Sequence, residues 1–322
     1  MLRIDRRRFV TAAAGAFVAS RAPMLLAQSS STATWQPLFD LDDLFPSFIL
    51  ATATAAASQN TSANYIGDPF GLVGIGVRTS ADNTRIRMQI AIDQIADPTA
   101  LETALGAQGE YRIYPKIKYR YQTLSAIRQP LTVNVSISVS IDSAPPETRT
   151  ATLRVRSIND AVTAVRLSNG TQSSKAWTLV AFVNENHPAI DQILRQALNI
   201  PVPIVREFVG TQQGPQMVVN QVFAIWYLFQ RLGFTYSSIT TPSGFSDKVQ
   251  SQTVRFLEDS VRTRQSNCID GTVLFASILR KIGIEPFIVS IPGHAFLGFW
   301  MDNERKVPGF LETTAMNSTN NP

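Results

Sequence analysis

Between residues 131 and 141 the chain alternates without a break. Leu131, Val133, Val135, Ile137, Val139 and Ile141 are apolar, and Thr132, Asn134, Ser136, Ser138 and Ser140 between them are polar. A period of two puts the apolar side chains on one face of an extended strand and the polar ones on the other. Such a strand buries one face and wets the other, which calls for an antiparallel sheet rather than a helical bundle. The pattern recurs on both sides. Val73, Ile75 and Val77 come before it, Ile86, Met88, Ile90 and Ile92 share one face, and Ala151, Leu153 and Val155 follow a turn over 143–147. Tyr111, Ile113, Ile117, Tyr119 and Tyr121 share another face, opposite Arg112, Lys116, Lys118 and Arg120. Pro115 lies in phase inside that run, so the strand is expected to be an edge or to bend there. The tyrosines read as core or rim. Five half-buried strands predict an antiparallel β-sandwich over residues 40–167.

The period then changes. The polar segment Ser168 to Ser174 reads as a linker. Beyond it, Pro188 to Leu198 is a predicted helix with proline at its first position, and Met217 to Leu232 is another, ending at Gly233. Phe234 to Ile239 reads as a short strand and Thr240 to Lys248 as a polar loop. The fold class is therefore α+β, with a second domain over residues 176–322.

That second part carries the reactive side chains. Cys268 is the sole cysteine, and His294 is one of two histidines. Leu274, Phe275, Ile278, Leu279 and Ile282 recur at helical spacing, and Gly283 supplies the stop. Asn267 is the expected N-cap, which puts Cys268 in the first turn, where free N–H groups and the helix dipole favour an anion. Ile284 to Ile291 reads as a buried strand, and His294 opens another that runs to Met301. An imidazole can take a thiol proton, and a carboxylate can hold that imidazole in one tautomer. Glu312 is the expected acid. Asp302 rivals it but falls in the expected hairpin turn, Asp302-Asn303-Glu304. A turn centred on Asn303 sets His294 directly opposite Glu312. Asp270 is expected to serve the helix N-terminus, and His187 to lie on the surface before a helix. Gln252 and Asn267 are candidates for oxyanion or substrate-side donors.

The order of these parts resembles the transglutaminase-like superfamily, which is similar to papain-type cysteine proteases. The resemblance lies in a cysteine at a helix start, Arg-Lys-Ile-Gly-Ile at residues 280–284, Gly-His-Ala-Phe at 293–296 and Phe-Leu-Glu-Thr-Thr at 310–314. It covers roughly residues 217–314 and implies a nucleophile at Cys268, a base at His294 and an orienting acid at Glu312. The chain departs from the family in having glutamate where aspartate is usual, and in lacking a tryptophan before the cysteine. The implied activity is a thiol-dependent amide hydrolase or acyltransferase working through a thioester. The alternative is a non-catalytic cell-envelope binding module that keeps the fold.

Charge and composition narrow the partners. The formal charge is +5, but residues 1–27 hold five arginines against Asp5, leaving 24 basic and 23 acidic residues elsewhere. A near-neutral body gives no electrostatic footprint for nucleic acid. One cysteine excludes an internal disulfide and a paired-cysteine zinc site, and no cofactor or metal motif is present. Arg6-Arg7-Arg8-Phe9-Val10, followed by the small and apolar residues 11–19, resembles a twin-arginine export signal over residues 1–27. The chain is thus expected in the periplasm or secreted, acting on a protein or peptide in the cell envelope. No membrane span is expected after signal removal.

Overall fold

The computed structural model describes residues 32–53, 62–167, 169–200, 204–237, 246–291 and 293–317. The export signal and most of the polar loop after Phe234 lie outside these residues. Residues 33–322 form one compact unit. Helices and several sheets are both present, so the class is α+β.

Two four-stranded sheets make up the N-terminal part. One has the order Ala33–Phe39, Val73–Thr79, Gly109–Tyr114, Tyr65–Gly67, and the other Glu147–Val155, Leu131–Ile141, Thr84–Ile92, Thr99–Leu105. The alternation seen in the sequence is what closes them. Ile86, Met88, Ile90, Val133, Val135, Ile137 and Val139 from the second sheet meet Trp35, Ile75, Val77 and Ile113 from the first in one buried cluster. Each such aliphatic side chain contributes about 1.5–3 kcal/mol relative to exposure. Two features differ from the sequence expectation. Tyr65–Gly67 pairs in parallel with Gly109–Tyr114. The tyrosine run is three elements, not one strand. It stops at Tyr114, resumes at Lys118–Tyr119 against Ala96–Asp97, and turns helical at Tyr121–Ala126. Pro115 is the cause, because it donates no ladder hydrogen bond and fixes its own φ.

The polar segment near residue 170 is a hairpin loop. Asp160–Arg166 pairs on one side with Gln172–Ser174 and on the other with Val249–Thr253. Val162, Val165 and Val249 from this sheet reach into the first core. Across the seam, Ser47 Oγ donates to the Asp160 carbonyl at 2.5 Å, and the Trp177 ring contacts Phe48 and Phe70.

The C-terminal core is organised by the helix Cys268–Lys281, buried nearly all round from Ile269 to Leu279. Leu274, Phe275, Ile278 and Leu279 pack against Val218, Val222, Ile225 and Phe229 of the helix Pro215–Arg231, and against Leu297, Phe299 and Leu311. The last three belong to a sheet of order Pro286–Ile291, His294–Trp300, Pro308–Leu311. A helix apolar on every side is stable only inside a core. Pro188–Leu198 is helical as expected, and His187 Nδ1 caps it by accepting from the Ala189 N–H at 3.2 Å. Among the described residues no helix is long and apolar enough to cross a membrane.

The first sheet depends on close backbone approach. A Cβ on Gly74 would lie 2.3 Å from the Ile113 carbonyl oxygen. Gly74→Ala is therefore expected to cost about 1–3 kcal/mol, seen as a lower urea midpoint at unchanged slope.

Candidate active site

Cys268 is a free, half-buried thiol at the first position of its helix. It packs against a cluster that includes Leu179, Phe182, Val254, Val273 and Ala295. The turn that presents it is capped reciprocally. Asn267 Oδ1 accepts from the Asp270 N–H at 2.7 Å, and Asp270 Oδ2 accepts from the Asn267 N–H at 3.2 Å. Such a box satisfies two N-terminal donors at once. Asp270 also accepts from the Arg255 N–H at 2.7 Å and from its guanidinium at 3.0 Å. Full burial pushes the Asp270 carboxyl up, against these donors. Asp270 thus serves the helix terminus.

His294 is the first residue of its strand, and Glu312 directly follows the strand Pro308–Leu311. The register pairs Leu297 with Leu311 and Trp300 with Pro308. Extended by one residue, it places Glu312 opposite Phe296, two residues from the expected partner His294. The turn explains the difference. It is not a tight turn on Asn303 but a loop, closed by the Met301 N–H on the Val307 carbonyl at 2.9 Å. The Asp302 carboxylate organises that loop by accepting from the Lys306 and Val307 N–H groups at 3.0 and 2.7 Å. Asp302 is therefore occupied at the loop, as expected.

A shift of two residues keeps Glu312 on the face of His294. Diagonal neighbours in a sheet are roughly 7–8 Å apart, within reach of a long side chain. Glu312 spans that gap, and its Oε2 lies 2.7 Å from His294 Nε2. The diagonal offset calls for the length of glutamate, since a side chain one methylene shorter suits a directly opposed pair. The other oxygen, Oε1, accepts from the Thr314 N–H at 2.9 Å and from Thr314 Oγ1 at 2.6 Å. Burial pushes the Glu312 carboxyl up, but the Thr314 donors and His294 outweigh it, and the group sits below the usual carboxylate range. Glu312 is then ionised at neutral pH and can only accept, so Nε2 is the donor of the pair, and in the neutral form of the ring Nδ1 carries the lone pair.

The acid segment also touches the cysteine helix. Thr313 is buried, and its Oγ1 donates to the Cys268 carbonyl at 3.5 Å. Gly271 makes room for it, because a Cβ there would lie 2.6 Å from Thr313 Oγ1. His294, Glu312 and Cys268 are therefore linked through one continuous stretch, 312–313. Among the described residues no hydrogen bond joins the Cys268 thiol to His294.

The two proposed amide donors sit differently. Asn267 spends its oxygen on the cap, and among the described residues its Nδ2 is enclosed with no partner. Gln252 is half-buried on the strand Val249–Thr253, paired with Ala161 of the cluster around Cys268. No hydrogen bond directs its side chain among the described residues. Arg255, Gly271, Thr313 and Thr314 were not singled out from the sequence as site residues. Only Thr314 had a local signal, a hydroxyl two residues after a carboxylate, which is the spacing of a side-chain turn. Among the described residues no cluster of three or more His, Cys, Asp or Glu is placed to hold a metal ion.

Comparison of the chain with protein families, curated proteins and solved structures finds no match.

Alanine in place of glycine within a helix ordinarily stabilises by about 1 kcal/mol. At Gly271 the sign should reverse. Gly271→Ala is expected to cost about 1–3 kcal/mol by overpacking against Thr313, measured as a drop in Tm.

Proposed function

We propose that this chain is an exported, thiol-dependent amide hydrolase or acyltransferase of the transglutaminase-like type. The observation that carries the reading is the His294–Glu312 hydrogen bond at 2.7 Å, which leaves Nδ1 free on an imidazole tied through Thr313 to the Cys268 turn. Nδ1 takes the proton of the Cys268 thiol. The thiolate attacks an amide carbonyl and a C–S bond forms. The C–N bond then breaks, the amine leaves with the proton held by His294, and a thioester remains. Water resolves it in a hydrolase and a second amine in an acyltransferase. The imidazolium that forms in each half-reaction is stabilised by the ionised Glu312. Catalytic hydrogen bonds in unliganded sites often tighten only with substrate, which accommodates a thiol not yet bonded to the ring.

That same lack of a thiol–imidazole bond favours the second reading, a binding module of the cell envelope that keeps the fold without turnover. The two readings separate on alkylation of native protein by iodoacetamide. In the catalytic reading Cys268 labels readily at pH 7, and His294→Ala and Glu312→Gln each slow labelling roughly tenfold. Asp302→Asn leaves the rate unchanged. Labelling only after unfolding, or the opposite ranking of the two acid variants, would sink the assignment. Profiling against an amide library, with Cys268→Ala as control, then distinguishes water from amine as the acceptor.

The export part of the proposal rests on Arg6 and Arg7. Changing both to Lys is expected to keep the precursor in the cytoplasm in a fractionation assay. Normal export of that variant would refute the route.

A further inference from the structure

We infer that Thr314 is a positioning residue that holds Glu312 in the one conformation able to reach His294. The inference rests on the assignment of Cys268, His294 and Glu312 as the reacting set. Glu312 lies just past the last ladder residue of its strand, and its side chain is about two-fifths exposed. It must extend diagonally to meet the ring. A long carboxylate with that freedom divides its time among rotamers unless something restrains it.

Thr314 supplies the restraint from two directions. Its N–H and its hydroxyl both donate to Oε1, and Oε2 is left facing His294 Nε2. Two donors on one oxygen fix both the position of the carboxylate and its plane. The donors are themselves fixed. Thr314 lies in the short 3-10 helix Thr313–Asn317, and the preceding Thr313 is buried and docked in the space left by Gly271. The position of the acid is thus referred back, through one peptide unit, to the helix that carries the thiol. The same donors help to lower the Glu312 carboxyl below its usual range. Their removal has a signed consequence. A depressed carboxylate keeps its charge-assisted hydrogen bond above its folded pKa and loses it as the pH falls through that value. Without the hydroxyl, the loss moves to higher pH.

The test compares Thr314→Val, which keeps shape and N–H but loses the hydroxyl, with Thr314→Ser, which keeps the donor. The first readout is the NMR resonance of the His294 ring N–H, assigned by its absence in His294→Ala. It should be protected from exchange in the wild type and in Thr314→Ser, and should exchange about tenfold faster in Thr314→Val, as expected for loss of one charge-assisted hydrogen bond. On acidification it should disappear at higher pH in Thr314→Val than in the wild type. The second readout is Cys268 alkylation at pH 7, slowed in Thr314→Val and restored in Thr314→Ser. If Thr314→Val does not fold, Thr314→Ala set against Thr314→Ser makes the same comparison. A ring N–H unchanged in exchange and in pH response would overturn the role of Thr314, whatever the activity of Cys268. A changed ring N–H with alkylation indifferent to His294→Ala would uphold the positioning and sink the catalytic reading instead.

Discussion

Three hydrogen bonds end on the carboxylate of Asp270, where no water reaches it. Unpaired, a buried carboxylate would be among the most destabilising groups a domain can hold. Paired, it ties the chain leaving the strand Val249–Thr253, through Arg255, to the first turn of the cysteine helix. That bond fixes where the helix starts, and the start fixes Cys268. The Cys268 carbonyl and Gly271 then receive Thr313, so the acid segment takes its position from the same turn. A buried charge two residues from a thiol is thus the origin from which the rest of the site is placed.

The seam between the two halves depends on long-range contacts. Trp177 meets Phe48 and Phe70, and Asp160 receives Ser47, Arg156 and Thr253. Apart from Arg156 and Asp160, which are four positions apart, the residues in these contacts are separated by more than ninety positions and share no local pattern. A polar stretch at 168–174 reads the same from sequence whether it joins domains or turns a hairpin. The hairpin partner Gln172–Ser174 is only three polar residues long, and the strand that pairs on the other side, Val249–Thr253, lies some eighty residues further on.

Local periodicity was readable wherever one physical requirement dominated. The run from Leu131 to Ile141 alternates in burial over most of its length, and the helix from Cys268 starts at the residue its cap implies. The pairing of His294 with Glu312 was also legible, from residue type and order. Its register was not. Asp302 closes a loop by accepting from two amides, and no turn rule applied to 302–304 alone distinguishes that loop from a tight reversal. Tyr121 misled in the opposite way. It continued the apolar phase of the preceding run, yet past Pro115 the pairing is short, over Lys118–Tyr119, and the chain turns helical at Tyr121.

The diagonal reach of Glu312 has a consequence for how such a hairpin can evolve. Side chains alternate across a sheet, so an acid on the second strand faces the imidazole only at every other position. Sliding that strand forward by two residues would bring a carboxylate directly opposite His294, where aspartate is long enough. At the present offset glutamate is needed. The intermediate offset has no solution with any acid, because the carboxylate would point at Leu297 and the core beneath it. Length of acid and offset of strand can therefore change only together and in even steps. A one-residue insertion between the two strands either is absorbed in the loop 301–307 or abolishes the pair.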